Sequence, residues 1–215
     1  QLQLEPEAPG YRLDRIEVIQ PTLVALAIAY AEALRTLGVE ADAVVGHSMG
    51  EVAAACIAGA LSVDDAMRIV CRRSALMAST RGQGAMALVE LSPEQARHRI
   101  AGHEAELAVA VSNSPRSCVL SGAPAAIEWV MAELERDQVF ARLVKVDVAS
   151  HSPQMQPLAE ALAQELHDLA PSAPRRPMYS TVLAERVDGA QLGAPYWAAN
   201  LRQPVRFMET VQALL

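Results

Sequence analysis

A serine flanked by glycines stands in VVGHSMGEVAA, residues 44–54, with valines before it and small residues after it. The valines read as a strand and the alanine-rich run as a helix, so G-x-S-x-G falls where one becomes the other. That context makes a nucleophile elbow: the glycines let the backbone turn sharply and leave the Ser48 hydroxyl exposed. The helix behind it brings free N–H groups and positive potential toward developing negative charge.

A nucleophilic serine needs a base within hydrogen-bond reach. Of the five histidines, His98 and His103 lie among charged residues and read as solvated, and His167 sits on the polar side of a helix. His47 adjoins the serine, but in an extended turn it points away from Oγ. His151, in DVASHSPQM, stands where the chain re-enters its larger unit, and it is the candidate base.

The elements that must position these residues follow from the pattern around them. PTLVALAIAYAEALRTLG reads as a buried helix ending at Gly38. After the elbow and its helix, SVDDAMRIVCRRSALMAST is a long amphipathic helix, with Ser62 and Asp65 resembling a capping box. Arg72 and Arg73 lie about 100° apart on it and face different places. GAMALVEL, SPEQARHRIAG, LAVAVSN, SCVLSG, AAIEWVMAELERD and ARLVKVDV then give the β-α-β-β-α-β order of a ferredoxin-like module. A helix over PQMQPLAEALAQELHDLA, a short buried strand MYSTV, and a loop leading from PYW into a terminal helix complete the chain. The predicted fold is α/β: a large α/β-hydrolase-like subdomain, residues 1–83 and 149–215, with a small ferredoxin-like subdomain, residues 84–148, inserted in it.

The 215 residues suffice for one core with a small satellite, and two Trp and two Phe leave that core aliphatic. A net charge of -7 argues against nucleic-acid binding, because no basic block replaces phosphate counterions. Cys56, Cys71 and Cys118 are odd in number and lack metal-ligand spacing. They read as reduced core thiols without a metal, in keeping with a cytoplasmic setting. The longest apolar stretch, residues 21–34, is interrupted by Glu32 and falls short of a membrane span; no signal peptide precedes it. QLQLEPEAPG reads as a linker or fragment end.

GHSMGEVAA, RIVCRRSALM, GQGAMALVEL, VSNSPRSCVLSG, VDVASHSPQM, PMYSTV and YWAANLRQPVRF follow in the order and spacing of a known family. From Gln20 onward the chain resembles the acyltransferase domains of modular polyketide synthases. It is similar, more distantly, to malonyl-CoA:acyl-carrier-protein transacylases. The resemblance implies a Ser-His dyad: Ser48 attacks a thioester and His151 takes its proton. The imidazole would be oriented by a main-chain carbonyl near Ser180 and Thr181, with no triad carboxylate. It also implies that Arg73, in R-x-x-x-M ending at Met77, holds the extender's carboxylate, while Arg72 faces solvent. Gln20, His47 and Asn113 fall near the pocket, although Gln20 and Asn113 serve equally as cap or turn residues; Trp197 and Phe207 read as packing. The family opens with a strand and a Gly-Gln-Gly loop that contributes to the oxyanion hole. Nothing like it occurs here, so Met49 N–H is the one oxyanion donor named and the chain reads as truncated at its N-terminus.

In this family the tetrapeptide ending at the histidine tracks extender choice. Val148-Ala149-Ser150-His151 keeps the small Ser150 of methylmalonyl-type domains, but Val148 replaces their tyrosine and Met49 their common glutamine. One methyl in a pocket is worth only about 1–3 kcal/mol. The expected activity is transfer of an extender unit, methylmalonyl favoured and malonyl the alternative, from coenzyme A to Ser48. It passes from there to the phosphopantetheine thiol of an acyl carrier protein, beside a ketosynthase domain and with no permanently bound cofactor. The rivals are a serine hydrolase of the α/β-hydrolase class and an inactive structural piece of a megasynthase. A hydrolase needs an acid between serine and histidine and a histidine near the C-terminus; Asp147 is poorly placed for that role.

Overall fold

The computed structural model describes Arg12 and residues 14–215. Its first element, α1 (Ile16–Thr36), is capped by Leu37 and followed by Gly38 at φ +80°, a left-handed position that glycine fills without strain. Strand β1 (Val44–Val45) leads through the elbow into α2 (Gly50–Ala58), and α3 (Val63–Ala78) follows. Alanines 53, 54, 55 and 58 are buried along α2, so this helix approaches its neighbours closely. Ser62 caps α3 by accepting the Asp65 N–H at 3.0 Å.

The expected burial of α1 is corrected. Val24 is its one buried residue, while Leu23, Leu26, Tyr30 and Leu34 are exposed. The helix packs on α2 and α3 along one stripe, so an apolar run all round it does not translate into burial all round. By length and a mean hydropathy of 1.4, α1 is also long and apolar enough to cross a membrane, which the reading of a shorter interrupted stretch missed.

The middle of the chain builds a second sheet. Strand β2 (Ala85–Val89), α4 (Pro93–Arg99), β3 (Leu107–Ser114), β4 (Ser117–Gly122), α5 (Pro124–Arg136) and β5 (Ala141–Leu143) follow in that order. The strands pair antiparallel in the spatial order β3-β4-β2-β5. Val89, Leu107, Leu120, Ile127, Val130 and Leu134 bury the two helices against this sheet. The last strand is shorter than ARLVKVDV suggests: after Leu143 one further bond, from Val144 N–H to Met86 O at 2.9 Å, holds the chain to β2 before it rejoins the first layer. There Gly82 N–H donates to Asp147 O at 2.8 Å, and a Cβ on Gly84 would overlap the Ala149 backbone.

A 3₁₀ turn (Pro153–Met155) and α6 (Gln156–Glu165) lead to β6 (Met178–Ser180), which lies parallel to β1 and antiparallel to β7 (Glu185–Val187). The segment expected as a loop after β7 contains a helix, α7 (Ala194–Arg202), started by Pro195 in its first turn, before α8 (Phe207–Leu214). Between α7 and α8, Val205 runs beside β3: its N–H donates to Ala110 O at 2.8 Å and its carbonyl accepts from Ser112 N–H at 2.9 Å, while the next residue, Arg206, donates its N–H to Thr181 O, just past β6, at 2.7 Å. Cys118 is buried and Cys56 half-buried, but Cys71 is exposed on α3, so that thiol is not in the core as expected. The fold is mixed α/β.

Candidate active site

Ser48 turns the chain at φ +54°, a left-handed conformation that non-glycine residues adopt only under constraint. The glycines flanking it are not equivalent. A Cβ on Gly46 would overlap the backbone nitrogen of Glu51, where the first turn of α2 folds back, whereas Gly50 faces open space.

His151 is buried, also with positive φ, at +60°. Its Nε2 lies 2.7 Å from Ser48 Oγ and its Nδ1 2.9 Å from the carbonyl oxygen of Gln203. A carbonyl only accepts, so Nδ1 carries the proton and Nε2 offers its lone pair to the serine hydroxyl. The orienting carbonyl is therefore that of Gln203, not one near Ser180 or Thr181. Gln203 is the C-cap of α7 in an extended conformation, which turns its carbonyl out of the helix and toward the imidazole. In the sequence this stretch reads as loop, and no side-chain pattern marks its carbonyl. Burial, and secondarily the Arg73 charge, push the His151 pKa down to about 3, against a raising effect of the Gln203 bond. The imidazole is neutral at neutral pH.

Arg73 reaches the same spot from α3. It is 1 % exposed; Nη2 donates to Ser48 Oγ at 3.1 Å, and Nη1 to Gln20 Oε1 on α1 at 2.7 Å and to Met77 Sδ at 3.3 Å. Among the described residues its Nε has no partner and no carboxylate pairs with it. Burial lowers its pKa to about 10, which leaves it charged at neutral pH. Arg72, on another face, is exposed with Nε 3.4 Å from Glu165.

The other candidates surround this centre. His47 is exposed, its Nε2 3.2 Å from Asn113 Oδ1 and its ring tilted against Phe207 at 5.4 Å, so it makes no bond to Ser48 Oγ. Val148 is buried and Ser150 half-buried, just ahead of His151. Met49 N–H meets no acceptor among the described residues. Trp197 is fully buried with Nε1 donating to Leu192 O, a packing residue. His98 and His167 are exposed, but His103 is half-buried with its ring 4.1 Å from that of Trp129, unlike the solvated side chain expected. No group of three His, Cys, Asp or Glu side chains among the described residues could hold a metal ion.

This geometry coincides with a family match. The family model described as "Acyl transferase domain" matches residues 3–215. The chain belongs to the acyl transferase domain family. It is 44% identical over 213 residues, 99% of this chain, to erythronolide synthase EryA2 of Saccharopolyspora erythraea, of whose length it spans 6%. The acyltransferase domain from module 8 of the salinomycin polyketide synthase superposes with a TM-score of 0.93 at 42% identity, over 98% of this chain and 49% of that one. The malonyl CoA-acyl carrier protein transacylase from Burkholderia pseudomallei gives 0.85 at 30% identity, over 94% and 70%. The chain thus resembles acyltransferase domains of modular polyketide synthases and is related to that transacylase.

Behind the elbow of this acyl transferase domain lies a polar cluster absent from the sequence reading. Glu51 is fully buried; Thr181 N–H and Oγ1–H donate to its Oε1, while Tyr196 Oη–H and Asn200 Nδ2–H donate to Oε2. Tyr196 Oη also lies 2.6 Å from Ser180 Oγ. Burial raises the Glu51 pKa, opposed by the bonds from Tyr196, Thr181 and Asn200. One signal was available: Glu51 is the single charge in GEVAAACIAGAL, on a helix otherwise made of small or apolar residues.

Proposed function

We propose that this domain moves a carboxylated acyl group from coenzyme A to Ser48, and from Ser48 to the phosphopantetheine thiol of an acyl carrier protein. The observation that carries this reading is Arg73, a buried cation with no carboxylate partner among the described residues, bonded to the same Ser48 oxygen as the base. A buried unpaired guanidinium is costly, and an acyl group ending in a carboxylate supplies the missing anion in a planar two-bond geometry. Gln20 holds the other edge of the guanidinium toward the site.

In the first half-reaction His151 Nε2 takes the Ser48 proton as Oγ attacks the thioester carbonyl. The oxyanion receives Met49 N–H, and Gln203 O stabilises the Nδ1–H edge of the imidazolium. Collapse expels the coenzyme A sulfur, which takes the proton back from His151 and leaves an ester on Ser48. The carrier-protein thiol reverses these steps. A backbone carbonyl, not a carboxylate, behind the imidazole favours this reading over a triad hydrolase. Two separate sheets and the strand order of residues 85–143 support the division into a hydrolase-like unit, residues 1–83 and 149–215, and a ferredoxin-like one. Methylmalonyl is the favoured extender because the half-buried Ser150 leaves room for an α-methyl beside the dyad, with malonyl the alternative. The carrier protein and ketosynthase are assigned as partners within a cytoplasmic synthase.

The test is mass spectrometry of the protein after incubation with malonyl-, methylmalonyl-, propionyl- and acetyl-CoA. Acyl mass should appear on Ser48, disappear in Ser48→Ala, and favour methylmalonyl. Arg73→Ala should lose malonyl and methylmalonyl loading and keep acetyl and propionyl, while Arg72→Ala changes neither. An Arg73→Ala protein that still prefers methylmalonyl over propionyl would overturn the carboxylate assignment.

A further inference from the structure

Asn200 lies on α7, 1 % exposed, with its side-chain nitrogen between two acceptors. Nδ2 donates to the Ser48 carbonyl oxygen at 3.1 Å and to Glu51 Oε2 at 2.9 Å. The Ser48 carbonyl cannot donate, so the amide stands with its nitrogen toward the elbow. Among the described residues Asn200 Oδ1 has no hydrogen-bond partner, and the side chain is held there through Nδ2.

The carbonyl of Ser48 and the N–H of Met49 belong to one peptide unit. That unit is planar and trans, so its C=O and N–H point in opposite directions and fixing the oxygen aims the hydrogen. Glu51 N–H, 3.0 Å from the same oxygen, supplies a second hold from within the elbow. We infer that Asn200, anchored by the buried Glu51, is a positioning residue that clamps the Ser48–Met49 peptide and directs the Met49 N–H at the oxyanion. The inference rests on the acyl-transfer reading above and deepens it.

Glu51 is suited to the anchoring by charge type as well as size. Four donors converge on its two oxygens, matching the four lone-pair sites of a carboxylate. At Oε1 one of them is the Thr181 backbone N–H, and at Oε2 one is Asn200 Nδ2–H; neither can turn into an acceptor. A glutamine amide therefore sets N–H against N–H in either orientation, and one bond of the cluster is lost.

That constraint supplies the test. Asn200→Ser withdraws the donor from Ser48. The double swap Glu51→Gln with Asn200→Asp closes the cluster again, because the introduced amide donates to the introduced carboxylate and still accepts from Thr181. It leaves the Ser48 carbonyl facing an oxygen. In the full-length protein, Ser48 acylation by malonyl-CoA is followed at saturating and half-saturating concentrations, alongside the melting midpoint. Both Asn200→Ser and the swap should lower the saturating acylation rate about tenfold or more, with the half-saturating concentration within about twofold, as for a weakened oxyanion donor. The swap should recover the midpoint lost in Glu51→Gln alone. Fold recovery without rate recovery is what a positioning role requires. A rate that returns with the midpoint, or an Asn200→Ser protein that loads at the wild-type rate, overturns the clamp. If the swap does not fold, Asn200→Ser decides by its rate and half-saturation split. A wild-type protein that takes no acyl group on Ser48 removes the acyl-transfer reading itself, and this inference with it.

Discussion

Ser48 Oγ has two polar neighbours with opposite demands. His151 Nε2 receives its proton, while Arg73 Nη2 donates to it from the other side. The Arg73 charge is also the second cause, after burial, of the low His151 pKa. A carboxylate paired with Arg73 would offset that charge and make the base stronger only when the carboxylated acyl group is in place. Removing the cation does the same permanently. In Arg73→Ala the acid limb of Ser48 acylation by acetyl-CoA should therefore move to higher pH than in the wild type. An unmoved limb would show that Arg73 does not act on the base. His151→Ala should lower the loading rate by about 10²-fold or more, read by the same acylation assay.

At the scale of elements, the elbow depends on one glycine more than the other. Gly46 lies under the first turn of α2, so Gly46→Ala must push Glu51, and with it the buried polar cluster, out of place. Its expected cost exceeds about 2 kcal/mol in denaturant unfolding. Gly50 begins α2 with open space around its Cβ position, and Gly50→Ala should leave stability unchanged or raise it by up to about 1 kcal/mol. Equal losses for the two would mean that the turn itself, not the approach of Glu51, sets the requirement. The strand-turn-helix order that creates this contrast was legible, because alternation and small-residue runs are local signals. The extent of α1 burial was not, since an apolar helix looks the same in sequence whether one side or every side is covered.

Across the whole molecule, His151 couples the site to stability. Its pKa falls from an ordinary 6.5 to about 3 on folding, so the unfolded chain takes up a proton that the folded chain refuses. The stabilisation is fully present above about pH 6.5, is lost progressively as pH falls toward 3, and changes no further below that. Unfolding free energies compared between pH 7 and pH 4 should fall less steeply in His151→Gln than in wild type. Identical slopes would place the titrating group elsewhere.

The sequence by itself determined a candidate nucleophile, a candidate base and most of the order of elements, because these are carried by residue types at short spacing, while Arg73 stands out only through the family resemblance. Ser48 and Arg73 are legible as an elbow serine and a helix arginine, and His151 as a histidine at a junction. What only the tertiary structure decided is which distant groups meet them. The Gln203 carbonyl arrives at His151 because α7 ends one residue earlier, and its extended C-cap is a backbone conformation that no side-chain pattern announces. The Glu51 cluster draws on α2, the end of β6 and α7, residues 130 to 149 positions apart, and only packing brings such separations within hydrogen-bond distance.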